Sequence, residues 1–128
     1  MSYDLLVFEP SAVPAEPEAF KAWYEAFMRW DGAWDYNDPA VCSPRLQQWE
    51  AGMRRRFWPL NGPRRSRLGP WLRPDDAGDF SCAPTAIYAG FAWQRVEIAR
   101  ELGLVLAKRN GVGFYDVSGD GSVWRPNT

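Results

Sequence analysis

The chain has 128 residues, of which 46% are hydrophobic and 16% aromatic, with 8 tryptophans and a formal net charge of −1. This length and apolar content suit one folded domain and argue against a disordered chain, and the near-neutral balance disfavours a general nucleic-acid binder. Histidine is absent, and the two cysteines, Cys42 and Cys82, have no CxxC partner, which removes Ser-His and Cys-His pairs and the usual zinc sites.

The first apolar run, "DLLVF" (4–8), closes on Glu9-Pro10 and predicts an opening strand. From Glu18 the period lengthens. Phe20, Trp23, Tyr24, Phe27 and Met28 recur at helical spacing, with Glu16 and Glu18 in the first turn and Gly32 as a stop. Ser43-Pro44 reads as N-cap and first-turn proline of a second helix lined by Leu46, Trp49, Met53 and Phe57 and ended by Pro59. Residues 59–84 carry five prolines and predict a long ordered loop anchored by Trp71 and Leu72. "TAIYAGFAW" (85–93) alternates and predicts a strand with Ile87, Ala89, Phe91 and Trp93 on one side.

A third helix over 94–110 turns Val96, Ala99, Leu102, Val105 and Leu106 inward and stops at Gly111. Gly103 inside it implies close packing. "VGFYDV" (112–117) and "SVWR" (122–125) then form a hairpin across Ser118-Gly119-Asp120-Gly121. The expected architecture is a single α+β domain over 1–128, ordered β-α-α-β-α-β-β, with a mixed sheet and helices mainly on one face. One core is expected to hold Phe20, Trp23, Tyr24, Phe27, Leu46, Trp49, Met53, Ile87, Phe91, Val96, Ala99, Leu106 and Phe114.

Charge is segregated along the chain. Residues 1–50 carry nine acids against Lys21, Arg29 and Arg45, whereas residues 51–73 carry seven arginines and no acid. In "RWDGAWDYNDP" (29–39) the acids Asp31, Asp35 and Asp38 alternate with Trp30, Trp34 and Tyr36. Aromatic anchors with steering carboxylates suit a basic protein partner, and these six residues form the first candidate contact face. The same residues also suit a core-and-turn role.

The arginine-rich stretch offers Arg54, Arg55, Arg64, Arg65 and Arg67 as an alternative partner face. It also reads as a solvated helix end and loop, or as a nucleic-acid contact over 54–67, although no helix-turn-helix, RNP or KH pattern accompanies it. "DVSGDG" (116–121) imitates the start of a calcium loop, but its twelfth position is Asn127 rather than glutamate, so a turn is expected. The sequence holds no phosphate-binding glycine motif and no HExxH, and it promotes no catalytic residue, cofactor or metal. Asp75-Asp76 is expected in a loop. There is no basic-apolar leader at the N-terminus and no membrane-length apolar run, so a cytoplasmic location is expected.

The motifs "MSYDL" (1–5), an aromatic first helix over 20–30, "NGP" (61–63), "VGFYDVSGDG" (112–121) and Pro126 resemble a group of small bacterial proteins. Some of these are similar to immunity proteins of interbacterial toxins. The resemblance covers most of the chain and implies a non-catalytic protein that neutralises a cognate toxin by occluding its active surface. It carries over no site residue, because its motifs are strands and turns. A small enzyme or ligand-binding domain using carboxylates or Cys82 is the alternative reading, and a nucleic-acid-associated protein the third.

Overall fold

The computed structural model describes residues 2–60 and 71–126. The opening apolar run becomes strand β1, Ser2–Phe8. It is followed by helix α1 (Pro17–Phe27), helix α2 (Pro44–Arg54), the short strand β2 (Trp58–Pro59), strands β3 (Ala77–Ala83) and β4 (Ala86–Ala92), helix α3 (Val96–Asn110), and strands β5 (Gly113–Tyr115) and β6 (Val123–Trp124). The six strands form one sheet in the order β2-β3-β4-β1-β5-β6. Only the β2–β3 pair is parallel, so the sheet is mixed and the fold is α+β.

The helix ends follow their local chemistry. Glu16 caps α1, its carboxylate accepting from the amides of Glu18 and Ala19. Ser43 caps α2 and Pro44 occupies its first turn. Gly111 ends α3 at φ 70°, the left-handed geometry of a helix stop. Gly103 is buried where predicted: an added Cβ would lie 3.2 Å from both Leu5 and Phe114, and its carbonyl accepts from the Trp49 indole at 2.9 Å.

β1 sets the plan of the molecule. Tyr3, Leu5 and Val7 face one side, where Trp49, Met53 and Leu46 of α2 and Ala99, Leu106 and Ala107 of α3 cover them. Leu6 and Phe8 face the other side, where Phe20, Trp23, Tyr24 and Phe27 of α1 pack. The expected single core is therefore two layers separated by the sheet. An aromatic helix stripe specifies burial without specifying which sheet face provides it.

The loop expected over 59–84 is the main local correction. Part of it is β2, and its last third is β3, which pairs with β4 from Gly78↔Phe91 to Ala83↔Ala86 and turns tightly at Pro84-Thr85. The anticipated anchors do not anchor: Trp71 is 85% exposed and Leu72 is also at the surface. Trp93 leaves the strand for a short 3-10 turn (Trp93–Arg95), and Val105 points outward from α3. The "NGP" turn lies outside the described residues.

The calcium-like stretch is a turn. Asp116 is buried and its carboxylate accepts from the Tyr3 hydroxyl at 2.5 Å, while its backbone carbonyl accepts from the Gly121 amide. Burial, then the bond to Asp116, raises the Tyr3 pKa. No helix among the described residues is long and apolar enough to cross a membrane.

Candidate partner-binding face

α1 ends at Phe27, and the backbone reverses through Trp30 at φ 54°, the one positive φ at a non-glycine residue among those described. A bulky side chain in this region is strained by about 1–3 kcal/mol and needs surrounding contacts to hold it. Those contacts are aromatic edges: the Trp30 ring meets Phe27 at 5.2 Å, Tyr36 at 5.2 Å and Tyr88 of β4 at 5.8 Å between centroids. Each such pair contributes roughly 0.5–1.5 kcal/mol beyond burial, enough together to offset the strain.

The rest of the loop is fixed by hydrogen bonds. The Tyr36 hydroxyl accepts from the Gly32 amide at 2.7 Å, and the Trp34 ring lies so close over Gly32 that a Cβ there would sit 2.3 Å from it. Asp35 accepts from the Asn37 amide, and Asp38 caps the 3-10 turn Pro39–Val41 through the Ala40 amide. The Tyr36 carbonyl accepts from the Cys82 amide at 2.6 Å, which ties the loop to the outer edge of β3.

The six candidates therefore divide their labour. Asp35 and Asp38 hold turns, as the turn-forming reading expected, and Tyr36 holds the loop through its hydroxyl and carbonyl. Trp30 and Trp34 remain 37% and 38% exposed, and Asp31 is exposed beside them. The loop is both built and presented.

It continues onto an open part of the sheet. α1 covers only the half of its face near Phe8, Ala86 and Tyr115. The other half is a groove of about 620 Å³ whose floor includes Ser2, Asp4, Ala77, Asp79, Ser81 and Gly90, with Trp30 and Tyr88 at its wall. The register places Asp4 and Asp79 on opposite sides of Gly90, through the pairs Asp4↔Gly90 and Asp79↔Gly90. Asp4 accepts from the Ser2 hydroxyl at 2.7 Å and from the Tyr88 hydroxyl at 2.6 Å. Burial, then this bond to Asp4, pushes the Tyr88 pKa upward, so Tyr88 remains a donor at neutral pH. The sequence reading missed Asp4, Asp79 and Gly90, because only strand register brings positions 4, 79 and 90 together.

The arginine-rich stretch separates into parts. Arg54 donates to both oxygens of buried Glu50, at 3.0 and 3.3 Å. Arg56 and Arg95 share one oxygen of Asp76, each at 2.9 Å, and their hydrogen bonds, Arg56's first, lower the Asp76 pKa. Arg55 is exposed. A cleft of about 420 Å³ gathers Arg54, Arg55, Arg56 and Arg73 with Trp58, Trp71 and Leu72. Arg64, Arg65 and Arg67 lie outside the described residues.

Cys42 and Cys82 are free thiols in the covered core. A hydrogen bond in which the Cys82 thiol donates to Cys42, followed by burial, pushes the Cys82 pKa up, which disfavours the nucleophilic thiolate. No group of three or more His, Cys, Asp and Glu side chains among the described residues is arranged to hold a metal ion. Comparison with known proteins returns no matching family model, curated protein or solved structure.

Proposed function

We propose that this is a non-catalytic binding protein of the bacterial cytoplasm, an immunity protein that neutralises a basic toxin by covering its active surface. The observation that carries this reading is the hydrogen-bonded acid–aromatic loop, with Trp30 and Trp34 half-exposed beside Asp31 and next to a groove lined by Asp4 and Asp79. Preorganised aromatic anchors lose little conformational entropy on binding, and neighbouring carboxylates accelerate encounter with a basic partner. The arginine–tryptophan cleft around Arg54, Arg55 and Trp71 is the alternative contact face, favoured by the exposure of Trp71.

The test is association kinetics against the protein encoded by the adjacent gene. Trp34→Ala is expected to raise the dissociation rate at a cost of about 2 kcal/mol. Asp35→Asn is expected to slow association, with an effect that shrinks as salt rises. Its Asx turn is retained in part by the amide oxygen of asparagine. Wild-type kinetics from both folded variants would transfer the interface to the arginine–tryptophan cleft.

A further inference from the structure

We infer that the half of the sheet left uncovered by the described residues receives one arginine side chain of the basic partner, beside Gly90 between Asp4 and Asp79. This deepens the binding reading above and rests on it. Three observations select an arginine.

The first is spacing. Asp4 and Asp79 stand on strands separated by the strand that carries Gly90. Adjacent strands lie about 4.8 Å apart, so the two aspartate backbones are roughly 9–10 Å apart. The two carboxylates thus flank Gly90, and a planar guanidinium with donors on several edges can pair with both, whereas a lysine ammonium is a single compact charge.

The second is relief. Gly90 contributes no side chain, and a Cβ there would already lie 3.0 Å from the nearer Asp4 oxygen. Ser2, Ala77, Ser81 and Ala92 line the groove around it, together with the larger Met28, Leu60, Pro74 and Phe91. The Asp4 carboxylate therefore leans over the Gly90 backbone, an approach that a side chain at position 90 would block.

The third is the wall. Tyr88 and Trp30 present rings along one side of the groove, and a guanidinium stacks on such rings as well as pairing with carboxylates. Asp4 is fixed by the Ser2 and Tyr88 hydroxyls, so it is oriented before any partner arrives. No Lys or Arg among the described residues lines this groove, so its charge is complementary to a cation.

The probe is the blocked tripeptide acetyl-Gly-Arg-Gly-amide, titrated into the full chain while backbone amide shifts are followed. The control is the same peptide with citrulline, which keeps the shape and removes the charge. Shifts confined to Asp4, Asp79, Tyr88, Gly90 and Trp30 are expected with the arginine peptide alone. Asp79→Asn should weaken the interaction about five-fold, the upper range for an exposed ion pair. Gly90→Val should abolish it by filling the slot. Equal shifts from the citrulline peptide, shifts centred elsewhere, or unchanged binding by folded Asp79→Asn would overturn the slot.

A parallel arm uses the adjacent-gene protein. If wild type binds it and Trp34→Ala is impaired while folded Gly90→Val is not, the slot fails and the loop interface stands. If wild type does not bind it but the arginine-specific shifts appear, the toxin reading fails and the slot stands.

Discussion

The two faces of the sheet contrast in what covers them. One carries α2 and α3 over Tyr3, Leu5, Val7, Phe80, Ile87 and Phe91, with Trp49 fully buried at its centre. Among the described residues, the other carries one helix, the eleven-residue α1, whose Trp23, Tyr24 and Phe27 stay half-buried and which stops short of Asp4 and Asp79. One face is closed by large apolar side chains, and the other is left partly open by small and charged ones. The same strands supply both through simple alternation, so a closed apolar face and a partly open polar face lie on opposite sides of one element.

Substitutions can break that contrast. The largest effect is expected for Trp49→Ala, which leaves a cavity and removes the donor to the Gly103 carbonyl, costing about 3–5 kcal/mol in denaturant unfolding. Phe20→Ala, in the half-open layer, should cost less, about 3 kcal/mol, the low end for this change. Equal costs would mean that the two layers contribute alike.

Asp76→Asn, at the rim of the covered side, should cost about 1 kcal/mol at neutral pH by weakening its bonds to Arg56 and Arg95. Because folding lowers the Asp76 pKa, its contribution is present above the ordinary carboxylate range and is lost as pH falls through the lowered value. The gap between wild type and Asp76→Asn should therefore close in acid, and a gap that persists there would assign it to packing. Asp79→Asn, on the open face, should change stability by less than about 0.5 kcal/mol. A larger loss would make this carboxylate part of the scaffold.

Much of this plan was legible in the sequence, and the gaps have physical causes. The cap at Ser43, the stop at Gly111 and the tight site at Gly103 follow from local chemistry, whereas Glu16, read as a first-turn carboxylate, is the cap of α1. β3 was hidden because Gly78, Asp79 and Ser81 have low strand propensity; pairing with β4 and the inward Phe80 and Cys82 hold it. The side taken by α1 could not be read from its stripe, since both sheet faces offer apolar residues. The acid–aromatic loop was visible as composition. The groove beside it was not, because it arises from three strands in register. The arginine run looked like one feature, yet Arg54 and Arg56 are engaged with Glu50 and Asp76.

The ends of the sheet carry a consequence for behaviour at high concentration. A long unpaired strand is a template on which another chain can add, the first step toward fibrous aggregates. Here the outermost strands, β2 and β6, are two residues each, and β2 contains Pro59, which has no amide hydrogen to offer. Where β2 ends, the Tyr36 carbonyl takes the next inward amide at Cys82. Beyond β6, the Arg125 guanidinium turns back to the carbonyls of Pro10, Val13 and Pro14 and lies over the Phe8 ring. Among the described residues both margins are thus short and blunted, which disfavours strand addition between copies of the chain.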